Sequence, residues 1–237
     1  MLNLDVDLAG NLRRVQDEIA DAATQAGRQP SEVTLVGVSK TQPAEMVAEL
    51  VRAGLGHIGE NRVQEAAQKF PAVAELLGAG RTPVRHMVGS LQSNKAAAAL
   101  TLFDRIDSVD SLKLAQALSR RVASGTVLPV LIEVYIGDDP TRPGVRPDGL
   151  LDLVGQVLEL APLRLAGLMT VAPLGTSARE AFATVRQLKE NVSETFPAVH
   201  FGVLSMGMSE DFREAILEGA TEVRVGTALF GPRRTRF

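Results

Sequence analysis

The chain has 237 residues, 45% of them hydrophobic, enough for one large domain with a sizeable core. Its 25 basic and 28 acidic side chains leave a net charge of −3, so it carries no electrostatic footprint for nucleic acid or a membrane surface. With no cysteine, it lacks the parts for a disulfide scaffold, a thiolate metal site or a cysteine nucleophile; three histidines leave little for a histidine metal centre, and eight phenylalanines, one tyrosine and no tryptophan leave little for a base-stacking platform.

Residues 1–17 lack the basic-then-apolar order of a signal peptide, and no run approaches the ~18 apolar residues of a membrane span, which predicts a soluble, cytoplasmic protein. Over residues 5–26, Leu8, Leu12, Val15, Ile19 and the Ala22-Ala23 pair recur at helical spacing, and Gly27 offers a stop. The β-branched run 33–38 reads as a buried strand ending at Ser39-Lys40, followed by a helix that Pro43 starts and Gly54 ends. The alternation then repeats. Strands at 57–59, 84–88 and 105–109 precede helices at 61–77, 93–102 and 111–123. Strands at 127–135, the longest, then 163–169, 201–204 and 222–225 are separated by helices near 148–160, 177–195 and 209–217.

Eight apolar strands alternating with helices predict an α/β fold, a single (β/α)8 TIM barrel over residues 1–237 with an extra N-terminal helix. A doubly wound sheet is the alternative. It would carry fewer strands in a chain of this size, and no G-x-G-x-x-G follows the first strand. The one long irregular stretch, 137–149 with Pro140, Pro143 and Pro147, follows strand five.

Barrels do their chemistry at the C-terminal ends of the strands. Polar residues there are Lys40, then Glu60 and Asn61, then Ser90, Gln92 and Asn94, then Asp110, Tyr135, Asp138, Thr170, Ser205, Ser209 and Thr227, with His86 inside strand three. A lysine emerging from a buried strand loses hydration, which lowers its pKa and frees the amine for attack on a carbonyl. Lys40 therefore suits a Schiff-base lysine; the other reading is a side chain reaching to the rim or pairing with a carboxylate. The segment Leu204-Ser205-Met206-Gly207-Met208-Ser209 leads into a helix, and Arg224-Val225-Gly226-Thr227 ends strand eight. In barrels the loops after strands seven and eight are the usual phosphate site. Alternatively, Ser209 only caps the helix and Gly226 only eases packing.

A lysine across the mouth from a phosphate cradle, with an arginine between, describes one kind of pyridoxal phosphate site. The motifs Val38-Ser39-Lys40-Thr41-Gln42-Pro43, His57-Ile58-Gly59-Glu60-Asn61-Arg62-Val63-Gln64-Glu65, His86-Met87-Val88-Gly89-Ser90-Leu91-Gln92-Ser93-Asn94-Lys95, Gly167-Leu168-Met169-Thr170, Leu204 to Ser209 with Asp211, and 223–231 resemble the pyridoxal phosphate homeostasis protein family in order and spacing, nearly end to end. The resemblance implies a barrel like the N-terminal domain of alanine racemase, pyridoxal 5'-phosphate as cofactor on Lys40, and a role in cofactor supply with no established reaction. It places Ser205, Ser209, Gly226 and Thr227 around the phosphate, Arg224 against the pyridine nitrogen, and Asn61 and His86 near the ring. The other readings are a helix N-cap for Asn61 and a hydrogen-bonded core imidazole for His86. The chain departs from the family at Arg85, where many relatives have tryptophan, at Tyr135, where they have asparagine, and at Arg142, which replaces a loop lysine. Tyr135 either touches the cofactor or fills space beside the 137–149 loop.

Three functions compete. The first is a non-catalytic protein that stores, buffers or delivers pyridoxal phosphate to apo-enzymes. The second is a racemase or related enzyme on the same barrel. A two-sided racemase needs a second base, which alanine racemase takes from a further domain, and this chain ends about a dozen residues past strand eight. The third is a phosphate-binding barrel in which Lys40 serves as a charge alone. The expectation is the carrier, a monomer without metal, nucleic-acid or membrane partners.

Overall fold

The computed structural model describes residues 6–173 and 177–232. Residues 1–5 and 233–237, which include the expected helix start at Asp5 and the chain end at Phe237, lie outside the described residues. Eight strands, β1 (Thr34–Val38), β2 (His57–Glu60), β3 (Val84–Met87), β4 (Arg105–Val109), β5 (Leu128–Glu133), β6 (Leu163–Met169), β7 (Val203–Ser205) and β8 (Glu222–Val225), pair in sequence order. All pairings are parallel, and β8 returns to β1 to close a (β/α)8 barrel. Helix α1 (Leu8–Gln25) precedes β1. Helices α2 (Ala44–Arg52), α3 (Val63–Leu77), α4 (Ala96–Leu102), α5 (Leu112–Ser119), α6 (Leu150–Leu158), α7 (Ala178–Thr195), α8 (Phe212–Leu217) and α9 (Thr227–Phe230) follow the strands one by one.

Helix α1 is started by the Asp7 carboxylate, which accepts from Gly10 N at 2.7 Å, and buries Leu8, Leu12, Val15, Ile19, Ala22 and Ala23 along one face. It is tied across the barrel's closing seam: Asn11 and Arg14 donate to the carbonyls of Leu229 and Ala228, each at 3.0 Å. Outward strand residues such as Ile58, Leu168 and Val223 join the helices' apolar faces in one continuous core.

The barrel interior is polar at its N-terminal end. Arg105 Nε and Nη2 reach Asp107 at 2.6 and 3.0 Å, and Nη2 reaches Glu222 at 2.5 Å. Asp107 meets His86 Nδ1 at 3.0 Å, and His86 Nε2 meets His57 Nδ1 at 2.9 Å. His57, Arg105 and Glu222 each open their strands, which fixes this chain of groups at the bottom of the barrel. Burial works against the Asp107 charge, yet His86 and Arg105 hold its carboxyl well below the usual range. Burial and the neighbouring His86 push His57 down to about 4.

Several expected boundaries differ, among them three at the C-terminal ends of the strands. The run 127–135 is not the longest strand: β5 stops at Glu133, because Val145 folds back to donate to the Glu133 carbonyl and accept from Tyr135 N, and β6 is longer. The helix expected from Asn61 starts at Val63 with Arg62 as its cap residue, so Asn61 is not the N-cap. The helix expected from Ser209 starts at Phe212 with Asp211 in the cap position, since Gly207 adopts φ 91° and turns the chain first.

Candidate cofactor site

The C-terminal ends of the strands surround a cavity of about 450 Å³. Strand parity builds it. Val36, Gly59 and Val88 share the interior, since a Cβ on Gly59 would stand 3.2 Å from both valines, and Val38 and Val88 form apolar walls with Val171. Two residues past Val38, Lys40 lines the same cavity. Asn61, Ser209, Asp211, Arg224, Gly226 and Thr227 also line it, and the loop after β5 contributes Arg142.

Arg224 is buried, and its orientation is fixed at two points: Nη1 donates to Ser205 Oγ at 2.9 Å and Nη2 to the Thr170 carbonyl at 2.7 Å. Burial lowers its pKa against the pull of Glu222, Asp107, Glu133 and Asp211, and a guanidinium stays protonated throughout. Ser205 thus holds the arginine from below and does not line the cavity. Ser209 Oγ accepts from Gly226 N and Ala228 N, each at 3.3 Å, so two backbone donors at the start of α9 converge on one hydroxyl. Such convergence suits an anionic oxygen. The Asp211 carboxylate nearby accepts from Met208 N at 2.6 Å, and burial raises its pKa. Asn61 Oδ1 is buried without a hydrogen-bond partner, an acceptor open to a donor brought by a ligand.

Six of the eight residues expected around a cofactor line one cavity: Lys40, Asn61, Ser209, Arg224, Gly226 and Thr227. His86 does not. Both of its ring nitrogens are taken, by Asp107 and His57, so it is a core imidazole beneath the cavity. Tyr135 is buried at the root of the 137–149 loop, with the Arg146 guanidinium 4.6 Å above its ring and the backbone of Gly144 against it. Arg146 also donates to the carbonyls of Gly137 and Asp139, which ties the loop beside the mouth. Ser90, Gln92, Asn94 and Asp110 line a separate recess.

Glu133 was not anticipated. This last residue of β5 is buried, its Oε2 has no partner, and burial lifts its carboxyl to about 7, with Arg224 pulling the other way. A lone acid inside the apolar run Leu131-Ile132-Glu133-Val134 was the available signal.

A closed eight-stranded barrel with a lysine past β1, an arginine on β8 and anion-seeking donors after β7 and β8 is of the alanine racemase N-terminal-domain class, and that family matches residues 11–234. Among curated proteins, the pyridoxal phosphate homeostasis protein of Escherichia coli K12 is 41% identical over 233 residues, covering 96% of this chain and 97% of that one. Among solved structures, PipY of Synechococcus elongatus PCC7942 with PLP bound superposes with a TM-score of 0.79 at 38% identity, covering 90% of this chain and all of that one. A protein of Bifidobacterium adolescentis described as unknown superposes with a TM-score of 0.85 at 34% identity, over 94% of both chains. The chain belongs to the pyridoxal phosphate homeostasis protein family.

Proposed function

We propose that this protein binds pyridoxal 5'-phosphate through a Schiff-base linkage to Lys40 and serves in its homeostasis, as a non-catalytic carrier that stores, buffers or delivers it. The observation that carries this reading is the meeting of Lys40, Arg224, Ser209, Gly226 and Thr227 at one cavity, with the Gly226 and Ala228 amides converging on Ser209 Oγ. The homeostasis names of its relatives and the PLP-bound PipY structure support it. Ser209, Gly226 and Thr227 would receive the phosphate, and Asn61, whose Oδ1 is buried without a partner, would stand beside the ring. Bound pyridoxal phosphate supplies an electrophilic carbonyl and a conjugated ring.

Arg224 weighs against turnover. It can only donate, so a ring nitrogen placed against it would stay unprotonated and withdraw electrons weakly. The partners we propose are PLP-dependent apo-enzymes, met in the cytoplasm by a monomer. No described helix is long and apolar enough to cross a membrane.

The test is a visible spectrum of the purified protein before and after borohydride reduction, peptide mass analysis, and a mixture of loaded protein with an apo-enzyme and a pyridoxal trap. A visible band, a reduced adduct on Lys40 and transfer to the apo-enzyme are expected. Racemisation of amino acids that Lys40→Ala abolishes, without cofactor transfer, would reverse the ranking of carrier over enzyme.

A further inference from the structure

Lys40 sits on a strained turn. Gln42 N donates to the Ser39 carbonyl at 3.0 Å, closing residues 39–42, and Thr41 stands in the left-handed region at φ 66°. Among the described residues it is the one non-glycine with positive φ. A β-branched side chain carries a steric penalty there that glycine would not, and such a conformation persists only where its surroundings over-determine it.

Those surroundings come from α3. Lys69, 7% exposed, donates from Nζ to the Ser39 carbonyl at 2.6 Å, to Glu60 Oε1 at 2.5 Å and to Glu65 Oε1 at 2.8 Å. Glu60 Oε1 also accepts from Ser39 Oγ at 2.6 Å, and Glu65 Oε1 accepts from Thr41 N at 2.5 Å. One buried ammonium therefore grips the residue before Lys40 directly and the residue after it through a shared carboxylate. The three donors of an ammonium are matched by these three acceptors, so Lys69 is no second amine for a carbonyl ligand.

Stability alone is a poor account of this arrangement. Burying an ion pair costs desolvation that its Coulomb attraction often only offsets, and burial still raises the Glu60 carboxyl against the pull of Lys69. What the network supplies is a defined backbone position, the same service that hydrogen bonds behind a metal ligand provide. We propose that Lys69 is the positioning residue for the cofactor lysine, holding the 39–42 turn through Ser39, Glu60 and Glu65 so that Lys40 faces the cavity. This rests on the reading that Lys40 carries the cofactor.

The experiment compares the parent with Glu60→Gln/Lys69→Met, which removes the grip without leaving an unpaired buried charge, and with the same pair carrying Thr41→Gly. Two quantities are read: the pH dependence of Lys40 labelling by an amine reagent in the apoprotein, and the pyridoxal phosphate concentration that half-saturates the visible band. The double variant is expected to shift the labelling profile and to load about tenfold or more weakly, the usual scale for a lost supporting contact. Thr41→Gly should recover part of the loss, because glycine adopts the left-handed turn unaided. A parent that fails to load overturns the cofactor reading itself. A parent that loads, beside folded variants with unchanged labelling and loading, overturns the role of Lys69 even if their Tm falls. Should circular dichroism show the double variant unfolded, Glu65→Ala decides, since it removes the Thr41 acceptor from a partly exposed position: weaker loading with an altered labelling profile supports the proposal, and parent-like loading and labelling overturn it.

Discussion

Arg224 and Ser205 are locked together across neighbouring strands, the guanidinium Nη1 donating to the hydroxyl at 2.9 Å inside the barrel. With Nη2 held by the Thr170 carbonyl, the arginine reaches the cavity in one orientation. Ser205→Ala leaves a buried charged donor without its acceptor, a loss of roughly 1–3 kcal/mol. The expected outcome is a lower Tm and several-fold weaker pyridoxal phosphate loading, both measured against the parent in one buffer; a variant indistinguishable on both counts would show the contact to be idle.

Lys40→Ala should abolish the borohydride-fixed adduct and the visible band. Lys69 is engaged with two carboxylates and lies outside the cavity wall, so it gives no substitute. Mass analysis of the reduced variant checks this, and an adduct on another lysine would move the site.

Pyridoxal lacking its phosphate should bind at least on the order of a hundredfold more weakly, since each hydrogen bond to a charged group is worth about 1.5–3 kcal/mol and two amides converge at Ser209. Competition of the two compounds for the apoprotein measures the ratio. Equal affinities would remove the phosphate cradle.

Glu133 makes stability depend on pH. Its carboxyl is raised by burial to about 7 in the folded chain, from an ordinary value of 4.5. The folded state therefore holds the proton more tightly than the unfolded state between these values, and the slope of stability with pH is negative there. Stability is full below about 4.5 and falls as pH rises through about 7, by up to roughly 3 kcal/mol. Urea unfolding of the apoprotein at pH 5 and pH 8 is expected to show the parent losing stability relative to Glu133→Gln, whose side chain cannot ionise. Parallel behaviour of the two would place the titration elsewhere.

The strand order and the barrel were legible in the sequence because parallel strands covered on both faces read as apolar runs; β4, β6 and β8 begin and end where those runs do. Lys40, Arg224 and Gly226 were legible as residues at strand ends or facing inward. Depth was not. Period two assigns His86 to the inside, but its height in the barrel follows from the stagger between strands, which puts it beside Asp107 and His57 and away from Lys40. Ser209 was read as a phosphate neighbour or, alternatively, a local cap; its hold on the amides of Gly226 and Ala228 is a contact that no window of sequence contains. Lys69 was placed on its helix, but its hold on Ser39, thirty residues earlier, appears only when α3 packs against β2.

The hydrogen-bonded chain from His57 through His86, Asp107 and Arg105 to Glu222 fills the lower end of the barrel with polar groups that satisfy one another. Lys40 lies in the wall of the cavity at the other end. On the reading proposed above, loading and release of a cofactor would therefore share that upper mouth, and an incoming molecule would slow a departing one by standing in its path.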